Sequence, residues 1–144
     1  MLVSAVLDGP RVHAVVRGGG PGCSSMDRAP DVSTIFSAYV APMLWEASGM
    51  RPADVDVALP YDAYSWLVPG QLEDFGFVAR EELGAYLLEG RHAWVNPHGG
   101  LLSEGYVHGL NNVAQAVREL RSGRSVALVT GFGGSYGSAA LLVS

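Results

Sequence analysis

The chain has 144 residues, 49% of them apolar and 16% charged, which excludes a disordered chain and suits one domain with a real core. Its net charge of −5 excludes the basic surface that non-specific nucleic-acid binding requires. All nine basic residues are arginine, so no lysine amine is present for imine chemistry.

Met1 to Leu7 is a short apolar run followed by the turn residues Asp8-Gly9-Pro10. It lacks a charged n-region and a long apolar segment, so no signal peptide is expected. No stretch approaches the ~18 uninterrupted apolar residues of a membrane span. Val12, Ala14 and Val16 alternate with Arg11, His13 and Arg17, the pattern of a half-buried strand. Gly18 to Gly22 then reads as a connector, since no GK[ST] follows to make it a phosphate loop. Cys23 is the lone cysteine and cannot form an internal disulfide. It reads as a free loop thiol in a reducing cytoplasm.

Asp31 or Ser33 is placed to cap a helix running to about Ser48, with Gly49 as its stop. Ile35, Phe36, Tyr39, Val40, Met43 and Leu44 form its apolar face, and Pro42 should kink or divide it. Val55, Val57 and Leu59 predict a short buried strand, with Tyr61-Asp62-Ala63-Tyr64 at its carboxyl end, where α/β proteins place functional groups. Trp66, Leu67, Leu72 and Phe75 predict a second helix, interrupted by Pro69-Gly70 and stopped by Gly76. Glu81 to Glu89 is a further short helical piece, and Trp94-Val95 a brief strand.

Asn96 to Gly109, NPHGGLLSEGYVHG, is glycine-dense and poor core material. It feeds a helix whose stripe is Leu110, Val113, Ala114, Val117 and Leu120, ending at Ser122-Gly123. Such a loop brings backbone close to a ligand and leaves helix N–H groups facing it. Tyr106 is the loop's leading candidate for chemistry. Val126 to Thr130 and Ala139 to Val143, joined through Gly131 to Gly137, predict a closing β-hairpin. The four histidines, at 13, 92, 98 and 108, are scattered without HxxxH or CxxC spacing, so no metal site is expected. The sum is an α/β fold, βαβαβαββ, with a mixed five-stranded sheet and helices packed on it. Trp45, Trp66 and Trp94 read as core or interface, and Tyr64 as packing. The duller reading of Tyr106 is a half-buried packing residue with a wet hydroxyl, and that of Asp62 is a cap on the following helix.

Three motifs in this order resemble the C-terminal half of the thiolase superfamily. GFGGSYGSAAL is similar to the thiolase Cys-x-Gly loop, GYVHG to the loop carrying Gly-His-Pro, and YDAY to Asn-Glu-Ala-Phe. Together they span Val55 to Ser144. The departures matter: Tyr106 stands at the thiolase histidine position, Gly131 at the cysteine position, and Tyr61 at the asparagine position. The acyl-accepting cysteine of thiolases belongs to the N-terminal half, which is absent from this sequence. The spacing around Gly90 to Trp94 is a few residues shorter than the family's.

YDAY with LLSEGYVHGLNN resembles most the lipid-transfer, or sterol-carrier-type, branch and its steroid side-chain aldolases. That resemblance implies retro-aldol cleavage of a β-hydroxyacyl-CoA, with a coenzyme A thioester as substrate and no covalently bound cofactor. It implies Tyr106, Tyr61 and His108 as catalytic residues. Gly105, Gly133, Gly134 and Asp62 would bind substrate or an oxyanion. A phenol acting as base must have its pKa lowered from about 10 by donors or a helix N-terminus, which the start of the helix near Leu110 would supply to Tyr106. The partners implied are a second thiolase-like chain supplying the N-terminal half and a protein with an OB fold and zinc ribbon. The alternatives are a non-catalytic acyl-CoA- or lipid-binding or scaffold subunit, and an acyltransferase subunit with its nucleophile on another chain.

Overall fold

The structure, a computed structural model, describes residues 9–19, 34–133 and 136–144. Cys23, the Asp31 and Ser33 caps, Gly134 and most of the Gly18–Gly22 connector lie outside the described residues. The elements run β1 (Arg11–Gly18), α1 (Ser37–Ser48), β2 (Val57–Leu59), α2 (Leu67–Asp74), α3 (Leu83–Leu88), α4 (Leu110–Arg121), β3 (Val126–Phe132) and β4 (Gly137–Val143).

The sheet has four strands in the order β1-β4-β3-β2. β4 is antiparallel to both β1 and β3, whereas β2 lies parallel to β3. It is mixed, as expected, but the fifth strand at Trp94-Val95 is reduced to a single bridge from Val95 to Ala58. The Ala58 N–H donates to the Trp94 carbonyl and the Asn96 N–H to that of Ala58. Asn96 then turns to a φ of +43° with Pro97 next, so the chain leaves the extended region and pairing stops.

β3 shows why both faces of the sheet carry helices. Val126 and Leu128 pack with Phe36, Val40, Ala41 and Leu44 of the α1 side. Ala127 and Val129 pack with Ala116 and Leu120 of α4 on the other face. The alternation is the period-2 side-chain pattern of a strand buried twice. Each fully buried Leu or Phe contributes roughly 1.5–3 kcal/mol over exposure. Gly137 is required by packing: a Cβ there would run into the fully buried Phe36 ring.

Four local expectations are corrected. α1 begins at Ser37, later than Asp31 or Ser33, and ends as expected with Gly49 in the left-handed region. Pro42 lies within it without dividing it. The forfeited bond is to the Ala38 carbonyl, and both residues are exposed, where water can take that carbonyl. Pro69 does not interrupt α2 either, because it is the third helical residue, whose N–H has no partner within the helix. The α4 stripe is rotated from the predicted one. Its buried residues are Asn112, Ala116 and Leu120, while Leu110 is 63% exposed.

Asp74, at the end of α2, accepts a hydrogen bond from the buried Ser37 hydroxyl at 2.5 Å. Burial, outweighing that bond, raises its pKa above the ordinary carboxylate value. The folded state therefore holds this proton more tightly than the unfolded chain. The associated stability is complete below the unfolded pKa of about 3.9 and is lost as pH rises through the folded value. Relative to wild type, Asp74→Asn should accordingly gain stability as pH climbs from about 4 toward neutrality. Denaturant melts across that range check this, and a difference independent of pH contradicts it.

Candidate functional site

The chain leaves β2 through Pro60 into Tyr61, whose side chain is 4% exposed. Here the backbone has left the sheet while still inside the protein, so its polar groups need side-chain partners. Asn112, fully buried on α4, donates from Nδ2 to the Leu59 and Pro60 carbonyls at 3.1 and 3.3 Å. Asn96 Nδ2 donates to the Pro60 carbonyl as well, at 3.1 Å. The end of β2 is thereby tied to both the glycine-rich loop and the helix that follows it.

The loop brings Tyr106 and His108 to Tyr61. The Tyr61 and Tyr106 hydroxyls share a hydrogen bond, and the Tyr106 hydroxyl lies 2.7 Å from His108 Nδ1. His108 is in the left-handed region at φ +46° and Gly109 follows at +83°, a reversal that turns the imidazole back toward the two phenols. A Cβ on Gly109 would press on the Tyr61 ring at 3.4 Å. The His108 ring meets both Tyr61 and Tyr106 edge-on, with centroids 6.2 and 5.8 Å apart. The two phenols are thus in contact.

Tyr61 and His108 form part of the wall of a cavity of about 340 Å³, together with Arg17, Phe132, Tyr136 and Ser138. Arg17 lies over the Tyr136 ring, 5.2 Å from its centroid. Tyr106, 56% exposed, joins the pair through its hydroxyl. The Tyr61 pKa is pushed up to about 12, first by burial and next by its hydrogen bond to Tyr106. At neutral pH Tyr61 is therefore a protonated donor. With Tyr61 donating to Tyr106, and Tyr106 to an unprotonated His108 Nδ1, the three groups form a path along which one proton can shift. Among the described residues the partners of the Tyr106 hydroxyl are Tyr61 and His108, not the N–H groups of α4 expected from sequence.

The remaining sequence candidates have other duties. The Asp62 carboxylate accepts from the Leu101 N–H through both oxygens at 3.2 Å. A Cβ on Gly100, at φ +81°, would collide with it. Asp62 therefore pins the glycine-rich loop, and it neither faces the cavity nor caps α2. The Gly105 carbonyl accepts from Asn111 Nδ2 at 2.8 Å, a contact that holds the loop in shape. Gly133 does line the cavity, but its N–H donates to the Tyr136 carbonyl at 2.9 Å and is not free for an oxyanion. Trp66 is 49% exposed and stacks on the exposed Tyr64 ring at 6.3 Å and 11°, outside the core. Among the described residues no group of three His, Cys, Asp or Glu side chains is placed to hold a metal ion. No described helix is long and apolar enough to cross a membrane.

Sequence reasoning missed Asn112, Thr130, Gln71 and Arg17. The first three are buried polar side chains, and only their partners distinguish them from surface residues.

A family described as thiolase C-terminal domain-like matches residues 23–144. The chain belongs to that family. It is 36% identical over 134 aligned residues to 17-hydroxy-3-oxo-4-pregnene-20-carboxyl-CoA lyase of Mycobacterium tuberculosis, covering 81% of this chain and 33% of that protein. It is 41% identical over 87 residues to the steroid side-chain-cleaving aldolase of Thermomonospora curvata, covering 57% and 22%. Among solved structures, the Ltp2-ChsH2(DUF35) aldolase superposes with a TM-score of 0.84 at 30% identity, covering 94% of this chain and 39% of that one. The chain thus spans about a third of the length of the lyase it matches.

Ultraviolet titration, with Tyr61→Phe as the subtracted reference, should find Tyr61 ionising near 12. Tyr106→Phe should lower that value toward the ordinary 10 without reaching it, since burial remains. The folded state holds the Tyr61 proton more tightly than the unfolded chain, so its stability contribution is complete below about 10 and lost as pH rises toward 12. A Tyr61 titrating at the unperturbed value contradicts the arrangement.

Proposed function

We propose that this domain cleaves a carbon–carbon bond by a retro-aldol reaction on a β-hydroxyacyl-CoA, such as the thioester of a sterol side chain, as part of a larger assembly. The observation that carries the reading is the hydrogen-bonded series Tyr61–Tyr106–His108 on and beside one cavity wall. The aldolase and lyase names of the relatives point the same way.

The chemistry follows from the groups present. As Tyr106 passes its proton to His108 Nδ1, its oxygen takes the proton of the substrate's β-hydroxyl. The C–O bond becomes a carbonyl, the Cα–Cβ bond breaks, and its electron pair passes to Cα and the thioester oxygen as an enolate. Tyr61, held protonated, returns a proton to Cα and is reprotonated through Tyr106 from His108. Protons and charge balance with no external base. Tyr61 is protonated at neutral pH and so is available as the acid, and the imidazole serves as the proton store that a phenol alone lacks.

The site is completed, on this reading, by a second thiolase-like half, carried by the same or another polypeptide. It would pack on the face of α4 where Leu110 and Val113 are exposed, beside Val107 of the loop, since such apolar surface is normally covered. A partner with an OB fold and zinc ribbon, as the family's steroid aldolases use, belongs to the same proposal.

In the assembled complex, release of ketone and short acyl-CoA from a steroid β-hydroxyacyl-CoA measures the reaction. Tyr106→Phe and Tyr61→Phe should each lower kcat by about 10²–10⁴-fold, the usual contribution of a general acid or base, with folding intact. Full turnover in either variant overturns the reading, and thioester binding without cleavage by wild type assigns the domain to binding instead.

A further inference from the structure

Both backbone polar groups of Tyr61 are held by side chains that do not themselves line the cavity. The Tyr61 N–H donates to Thr130 Oγ1 at 2.8 Å, and the Thr130 hydroxyl donates to Gln71 Oε1 at 2.5 Å. Gln71 Nε2 donates back to the Tyr61 carbonyl at 2.8 Å, and with its second hydrogen to the Leu67 carbonyl at 3.0 Å. The ring closes on a single residue. Thr130 is 2% and Gln71 1% exposed, so water cannot substitute for a missing member.

We propose that Thr130 and Gln71 are positioning residues, whose closed hydrogen-bonded ring fixes the Tyr61 backbone and so sets where its phenol meets Tyr106. Three elements enter the ring: the exit of β2, the middle of β3 and the body of α2. The orientation of the Gln71 amide is dictated by its surroundings, two carbonyls at Nε2 and one hydroxyl at Oε1. Asn112 secures the preceding carbonyls from the opposite face of the sheet. Tyr61 therefore cannot rotate about its own backbone without breaking two buried bonds. Such rigidity is what proton transfer needs, because a misplacement of about 1 Å can cost about 100-fold in rate.

The inference rests on the phenol-based reading above, and the test separates the two. Thr130→Val keeps the side-chain shape and deletes the hydroxyl, whereas Thr130→Ser restores the hydroxyl without the methyl. In the assembled complex, Thr130→Val should lower kcat at least about 10-fold with KM within about twofold, and Thr130→Ser should recover to within about threefold of wild type. Ser37→Ala, which deletes a different buried hydroxyl, should lower the melting temperature while leaving kcat unchanged. Gln71→Met fills a similar space and loses both the acceptor for Thr130 and the donor to the Tyr61 carbonyl; it should reproduce the kcat loss and replaces Thr130→Val if that variant does not fold. Wild-type kcat in the folded variant, or equal losses in Thr130→Val and Thr130→Ser, overturns the positioning role. If Tyr61→Phe also retains turnover, the phenol reading itself fails; if Tyr61→Phe is inactive, only the ring is refuted.

Discussion

Everything at this site depends on how the backbone is satisfied where β2 ends. The strand is three residues long and stops inside the protein, so the Pro60 and Tyr61 carbonyls and the Tyr61 N–H are buried past its last paired residue, Leu59. An unpaired buried backbone group costs about 1–3 kcal/mol. Asn112, Asn96, Gln71 and Thr130 supply partners for them all. The same bonds that remove this cost join β2, β3, α2, α4 and the glycine-rich loop at one point. Tyr61 is placed there because the fold must close there.

The second phenol arrives by a different device. The loop needs the positive φ of His108 and Gly109 to reverse direction, and it is pinned at its other end by Asp62 through Leu101. One end of the site is therefore set by buried side-chain amides and the other by backbone conformation. The contrast fits their burial: Tyr61 is 4% exposed and Tyr106 56%. The enclosed phenol keeps its proton while the open one stands next to imidazole.

Much of this was legible in the sequence, for physical reasons that differ by element. The strand β1 announced itself through alternation and the hairpin β3–β4 through two apolar runs joined by a glycine turn, and Gly49 and Gly76 marked the ends of their helices. Tyr61, Tyr106 and His108 were found through motif resemblance, and their mutual contact required the fold. The sequence misled where apolar content was taken for burial. α4 turns Asn112 into the protein and Leu110 outward, since the demand of the β2 carbonyls outweighs that of a leucine which another surface can cover. Trp94-Val95 looked like a strand because its residues favour one, but Asn96 and Pro97 end it after one bridge. Asp62 and Gly133 were read as ligand-facing because motif residues point to sites; Asp62 instead pins the glycine-rich loop through Leu101, and Gly133 lines the cavity with its N–H already bonded to Tyr136. Gln71 and Thr130 could not be found from sequence, because a buried glutamine and an exposed one are spelled alike.

In this account two phenols and an imidazole act on one substrate, Tyr106 with His108 at the β-oxygen and Tyr61 at Cα. The measurement that tests it most directly is a crystal structure of the assembled complex with the ketone product bound. The account predicts a ketone oxygen within about 2.6–3.2 Å of the Tyr106 hydroxyl, with Tyr106 still bonded to His108 Nδ1. A product bound away from both hydroxyls, with Tyr61 enclosed by packed side chains alone, would contradict it.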